Sequence, residues 1–385
     1  MIGILTLHYG YNEGAILQAY AMACVLRNRG GKDASIVDHR YPAKIAIYSR
    51  EWDARKEKLE WAINNWLPLT NRRFFSNYET ETWRYIQSSC ETIVVGSDQV
   101  WRLRYQKKLA GLWTAQPDRF VGRFPNIYWP PPWLRVAKHA YAASVGDVDM
   151  GPVPRRHRRT MAKILDDFGT IGVRDERTAE FVRTLSRSLD DRIVICPDPT
   201  LLMPWETRDA AESLTMKLEQ FGVSKVERLC LIGVSAGQFA NELAAELRRL
   251  GFRLIGYSSG DNYSDIRVAT IGLSPLEWVA LFGKVNLCIT DRMHAFIFSV
   301  LSQCPCIVID WAAKSSLTLT RIGDFANKVG CQQFVVRPPI SLAEVTSRIK
   351  EMQPDWYSIA NRVFAMREVG LKVIDHIVGN EVHLG

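Results

Sequence analysis

The sequence predicts an α/β protein made of two Rossmann-like halves, each a parallel sheet covered by helices. Three observations predict it. The chain opens with an apolar run, Ile2 to Leu7, then a glycine-bearing loop, HYGYNEG, then a stretch of helical period. Short apolar runs go on alternating with helical segments, the order that feeds parallel strands. The scheme then restarts: Pro204 to Val226 is polar, reading as a linker and a helix, and a fresh apolar run begins at Leu229. At 385 residues the chain also exceeds the ordinary reach of one hydrophobic core, so two domains are expected, with a cleft between them as the place for a site.

In the first helix Ile16, Leu17, Tyr20, Ala21 and Cys24 share an apolar face, and Gly30-Gly31 stops it. Strands are predicted at Ala34 to Asp38, Thr92 to Val95, His139 to Ser144, Thr170 to Val173 and Arg192 to Cys196. The second half has strands at Leu229 to Val234, Phe252 to Tyr257, Asn286 to Thr290 and Cys306 to Asp310, with helices at Ala240 to Leu250 and Pro275 to Phe282. A long helix, Asp355 to Ile377, is expected to cross back onto the first domain. The expected division is therefore 1–205, 206–350 and a C-terminal helical segment, 351–385. The segment Arg102 to Leu134, rich in aromatic, basic and proline residues, reads either as an acceptor-binding loop or as surface packing.

Composition narrows the function. With 47% hydrophobic and 23% charged residues and no apolar run of membrane-spanning length, neither disorder nor membrane insertion is expected. Met1 leads straight into ILTL without a secretory leader, which points to the cytoplasm. Eight scattered cysteines form no disulfide or zinc spacing, so they are expected as reduced core residues, and no metal is expected. The net charge of +8 favours an anionic substrate or surface. No nucleic-acid-binding motif accompanies that charge, and the RRHRR run at Arg155 to Arg159 reads first as a solvated helix face.

Four polar clusters follow predicted strands, at the edge where open parallel sheets bind ligands. His8 to Gly14 offers a glycine loop at a helix start, suited to an anion or to a plain turn. In Gly96-Ser97-Asp98-Gln99, Asp98 reads equally as a base for a sugar hydroxyl and as a helix N-cap. In Val173-Arg174-Asp175-Glu176 the arginine suits a carboxylate or phosphate, or else pairs with its acidic neighbours. In Thr290-Asp291-Arg292-Met293-His294, two cationic side chains stand at a helix N-terminus against the dipole, which makes sense where an anion binds.

These blocks resemble the polysaccharide pyruvyl transferase family over nearly the whole chain. GILTLHYGYNEGAILQAYAM is similar to its opening, VVGSDQVW to its most recognisable block, and YAASVG, GVRDERT and PDPTLLM to later ones. SPLEWVALFGKVNLCITDRMHAFIFSVL resembles the C-terminal signature. The resemblance implies a GT-B-like fold, two Rossmann-like domains with parallel sheets facing across a cleft. It also implies transfer of pyruvate from phosphoenolpyruvate to sugar hydroxyls, forming a ketal without a cofactor. Arg174 and Arg292 would bind the donor, His294 would be the acid, and Asp98 the acceptor-side base. His8, Asn12, Gly14, Ser97 and Gln99 complete the candidate binding set.

The chain departs from the family at Glu13 within Asn12 to Gly14, at Arg102, and over Trp129 to Trp133, all of which bear on the acceptor. The acceptor is not read from the sequence: the positive charge and the aromatic segment are compatible with a lipid-linked oligosaccharide at the inner membrane face, reached by peripheral contact, and free polysaccharide repeat units and simple glycosides stay open beside it. The competing readings are a GT-B glycosyltransferase using a nucleotide sugar, in which Glu277 after Ser274-Pro275 could be mistaken for a ribose contact, and a non-catalytic sugar-binding protein of the same fold.

Overall fold

A computed structural model describes residues 1–380 apart from 49–51, 76–78, 108–112, 119, 148–150, 236, 258–259 and 315–318. By its contacts the chain divides into two compact units, Met1–Glu51 with Ile63–Met203 and Ala365–Gly385, and Trp52–Ala62 with Pro204–Phe364. The helix Trp356–Val378 begins in the second unit and belongs to the first from Ala365 onward. Residues 52–62, which the sequence reading places in the first domain, group with the second.

The first unit contains β1 (Ile2–Leu5), β2 (Ala34–Arg40), β3 (Leu69–Phe75), β4 (Thr92–Val95), β5 (Tyr105–Lys107), β6 (Trp113–Ala115), β7 (Ala137–Ala143), β8 (Thr170–Val173) and β9 (Ile193–Ile195). β5 and β6 form a separate antiparallel pair. Among the described residues the other seven strands make one parallel sheet in the order β3-β2-β1-β4-β7-β8-β9. The order reverses between β1 and β4, the topological switch point at which such sheets bind ligands.

Central strands such as β1 (IGIL) and β4 (TIVV) are apolar because helices cover both faces of a parallel sheet. β3 (LTNRRFF) lies at the edge and exposes Asn71, Arg72 and Arg73. Its polar centre hides it from a search for apolar runs. The helix Glu13–Gly30 is buried on nearly every side through Leu26 and ends at Gly31, whose φ of 59° is a left-handed cap that favours glycine. In the 102–134 segment Trp129 stacks on the preceding Trp101 at 5.3 Å and meets Phe124 edge-on, and the Tyr128 carbonyl accepts from Trp101 Nε1. The described part of this stretch is thus largely core, with Trp133 left exposed.

The second unit contains β10 (Arg228–Gly233), β11 (Phe252–Gly256), β12 (Ile266–Arg267), β13 (Leu287–Thr290), β14 (Cys306–Ile309) and β15 (Val335–Val336). They form a parallel sheet in the order β12-β11-β10-β13-β14-β15. Its switch point lies between β10 and β13. The two-residue strands β12 and β15 are too short to leave a period in sequence. Behind the sheet, Trp278, Phe282 and Phe298 pack edge-on or stacked at 4.8 to 6.1 Å. All eight cysteines are free thiols, and every one but the half-buried Cys24 is buried. No helix among the described residues is long and apolar enough to cross a membrane.

Candidate active site

In the first unit the carboxyl edge gathers side chains from the ends of β1, β2, β4, β7, β8 and β9. The turn after β4 holds Asp98 in a left-handed conformation, φ 72°, which aspartate tolerates better than most residues. No helix follows, so Asp98 is not an N-cap. Its carbonyl instead accepts from Val100 N and Ser144 N. Gly96 (φ 121°) precedes it, and a Cβ there would lie 2.1 Å from the Tyr141 carbonyl oxygen of β7, so only glycine fits the approach.

Arg174, at the end of β8, donates from Nη1 to Asp198 Oδ2 at 3.0 Å and from Nη2 to Asp98 Oδ1 at 3.4 Å. Burial favours the neutral guanidine, but the carboxylates of Asp98, Asp198 and Asp175 outweigh it and raise the pKa of Arg174 further. Asp198 is fixed in turn, its Oδ1 accepting from Thr200 N at 3.1 Å and Thr200 Oγ1 at 2.8 Å. The acidic neighbours in sequence are engaged elsewhere. Asp175 caps the helix Glu176–Leu185 through Thr178 N and accepts from Ser144 Oγ, while Glu176 pairs with Arg183.

The remaining candidates of this unit are spread along the same edge. Ser97 Oγ donates to Gln18 Oε1, and Gln99 Oε1 accepts from Arg102 Nη1 at 3.1 Å. Arg102, one of the departures from the family pattern, also pairs with Asp118 at 3.1 Å. Asn12 is the N-cap of Glu13–Gly30, its side chain accepting from Ala15 N, and Gly14 is buried in that helix's first turn. His8 is 1% exposed, with Nε2 3.0 Å from Asp38 Oδ1 and Nδ1 3.1 Å from the Thr6 carbonyl. Burial lowers its pKa despite the neighbouring carboxylate. Asp38 is buried as well, but bonds from His8, Arg40 and Arg73 hold its carboxyl well below the usual range. Both ring nitrogens of His8 therefore serve an internal network.

In the second unit Arg292 and His294 follow β13, beside that sheet's switch point. Arg292 is the N-cap residue of Met293–Leu301 but makes no side-chain cap. Its Nε lies 3.0 Å from Asp291 Oδ1, and its side chain is 52% exposed. Asp291 is anchored by Ser235, whose N and Oγ donate to Oδ2 at 2.9 and 2.7 Å. Arg292 N donates to Thr290 Oγ1 at 2.9 Å, and Thr290 Oγ1 also bonds the Tyr257 hydroxyl. His294 stands half-buried in the first turn of the helix. Glu277 closes a capping box with Ser274 and takes bonds from Lys217 Nζ and Ser213 Oγ, both at 2.7 Å. Its carboxylate is thus committed to the helix start and not to a ribose.

A family model described as polysaccharide pyruvyl transferase matches residues 12–312 of the sequence. The chain belongs to that family. As a member of it the chain is a transferase, and the match takes in Asp98, Arg174, Arg292 and His294 alike. No curated protein matches the chain in sequence. Among solved structures it is similar to S. aureus MnaA in a co-structure with UDP, at TM-score 0.54 and 9% identity, over 99% of this chain and 97% of that one. It is also similar to the UDP-GlcNAc 2-epimerase from Neisseria meningitidis bound to UDP-GlcNAc, at TM-score 0.54 and 8% identity, over 99% of each chain. At these identities the likeness concerns the fold, an α/β GT-B-type arrangement with parallel sheets.

Relative to the sequence reading, the structure adds Asp198, Asp291 and Gln18 to the polar framework. Asp198 carried a signal in its position just after an apolar run, but the Asp-Pro-Thr context reads as a turn. Gln18 sits mid-helix on an apolar stretch and has no local signal at all. Among the described residues no group of three or more histidine, cysteine, aspartate or glutamate side chains is placed to hold a metal ion.

Proposed function

We propose that this chain moves pyruvate from phosphoenolpyruvate to two hydroxyls of one sugar, in a polysaccharide or its lipid-linked precursor, forming a ketal and releasing phosphate. The family match over residues 12–312 carries this reading. The placement of Arg292 and His294 beside a switch point supports it, because phosphoenolpyruvate brings a phosphate and a carboxylate on one small enol and needs both charge and a proton donor. No cofactor or metal enters the scheme.

In the proposed reaction His294, protonated, gives its proton to the methylene carbon of the donor, and Arg292 holds the donor's anionic groups. The enol carbon, now electron-poor, takes the oxygen of the first hydroxyl, and Asp98 accepts the proton that this hydroxyl loses. The second hydroxyl oxygen then bonds the same carbon as that carbon's bond to the phosphate oxygen breaks, and the proton this hydroxyl loses passes to the departing phosphate. Phosphate leaves with the electron pair. Arg174 is assigned the donor's anionic end and, through its contact with Asp98, the orientation of that carboxylate. The reaction is placed in the cytoplasm, with peripheral contact at the inner membrane face where the acceptor is lipid-linked.

An acceptor screen tests the reading. Purified protein with phosphoenolpyruvate and a panel of sugars is scored by phosphate release and by mass gain on the sugar. Release of phosphate with gain of a ketal supports the assignment. Calorimetric binding of nucleotide sugars, with no response to phosphoenolpyruvate, moves the protein to the glycosyltransferase reading, and binding of sugar alone moves it to the non-catalytic one.

A further inference from the structure

We infer that Lys44 is an anion-binding residue of the first unit, taking a carboxylate or phosphate oxygen of a substrate at the carboxyl edge of the sheet, in the field of Asp98. Lys44 lies in the short helix Pro42–Tyr48 that follows β2, and it is 3% exposed. Its Nζ sits 4.4 Å from the centre of the Tyr9 ring and 6.0 Å from that of Phe120. Tyr9 comes from the loop after β1 and Phe120 from the stretch between β6 and β7. Three connections therefore converge on one ammonium.

What the ammonium lacks is an oxygen. Among the described residues no carboxylate lies within ion-pair distance of it and no acceptor within hydrogen-bond distance. The two carboxylates whose charge acts on it through space are committed elsewhere, Asp98 to Arg174 and Asp118 to Arg102 and Phe120 N. Lys138 shows how the fold treats a buried structural lysine: it bonds both the Asp167 carboxylate and the Leu134 carbonyl. A charge held mostly out of water is costly, and aromatic faces offset only part of that cost. Burial pulls the pKa of Lys44 down to about 8 against the pull of Asp98 and Asp118, so it is still mainly cationic at neutral pH. One anionic oxygen completes its coordination.

This inference does not depend on pyruvyl transfer, because it is read from binding without turnover. Lys44→Met keeps the length and the contacts with Tyr9 and Phe120 while removing the charge, and Lys44→Gln serves as a second variant should the first fail to fold. Each is titrated by calorimetry and by thermal shift with inorganic phosphate, phosphoenolpyruvate, glucuronic acid and, as the neutral control, glucose. An Arg292→Ala background keeps anion binding in the second unit from masking the result. The expected loss is about 10- to 100-fold in affinity for at least one anion, the size of one charge-assisted hydrogen bond. Loss confined to phosphate and phosphoenolpyruvate assigns the donor to Lys44, and loss confined to glucuronic acid assigns an acidic acceptor. Without any probe, Lys44→Met is expected to melt at or above the wild-type temperature. Equal affinity of wild type and variants for every anion, or no anion binding by the wild type, overturns the inference and leaves Lys44 a packing residue.

Discussion

The guanidinium of Arg174 bridges two carboxylates, 3.0 Å from Asp198 and 3.4 Å from Asp98, with side-chain exposures of 4%, 1% and 14% respectively. At that depth removal of the cation strands two like charges near one another. Arg174→Met is expected to lower stability by about 3–5 kcal/mol, as for other buried pairs that lose one partner. Adding Asp198→Asn to that variant is expected to recover part of the loss. Urea unfolding of the single and double variants measures it, and a single-variant change within about 1 kcal/mol, the range of surface pairs, removes the bridge as a support of the edge.

His294→Ala is expected to lower the proposed transfer by about 10²- to 10⁴-fold, the usual contribution of a positioned acid. Arg292→Ala is expected to weaken phosphoenolpyruvate binding. Arg292 is half-exposed and its variant is expected to unfold within about 0.5 kcal/mol of wild type. Phosphate release and urea midpoints, measured on the same preparations, separate a loss of chemistry from a loss of fold. Wild-type-like transfer by His294→Ala removes it from the role of acid.

His39 and His139 are both pushed down to about 4 by burial, His39 further by His8 and His139 by His376. Their unfolded value is about 6.5, so between those limits the unfolded chain binds protons that the folded chain refuses. Stability is full above about pH 6.5 and falls as pH drops toward 4, by up to about 1.4 kcal/mol per pH unit for each histidine. Urea midpoints across that range show the slope, and His39→Gln, which can still meet Thr82, is expected to reduce it. A slope unchanged by both His39→Gln and His139→Gln means other groups carry the acid sensitivity.

Glu277→Ala is expected to cost about 1–3 kcal/mol, through loss of the capping box and of the buried bonds from Ser213 and Lys217. Lys217 is left without its carboxylate partner. Phosphoenolpyruvate binding at temperatures where the variant is folded is expected to be unchanged. A calorimetric loss of nucleotide-sugar affinity without a stability loss reverses this assignment and favours the glycosyltransferase reading.

Much of the fold was legible because parallel central strands are buried on both faces and so appear as unbroken apolar runs. β1, β4, β8, β10 and β13 all read this way. β3 did not, because an edge strand can expose Asn71, Arg72 and Arg73. The positions after β4 and β13 were legible for a related reason: polar residues that break off an apolar run mark the carboxyl edge.

By itself, then, the sequence determined the two parallel sheets, their helices and the four edge residues Asp98, Arg174, Arg292 and His294. These follow from local periodicity and from matching blocks. Only the tertiary structure decided who pairs with whom. It joined Arg174 to Asp198 across 24 residues and His8 to Asp38 across 30, committed Glu277 to Lys217, and left Lys44 over Tyr9 without an oxygen. The physical reason is that burial and charge pairing depend on which strands lie side by side, and strand order in a doubly wound sheet is not chain order.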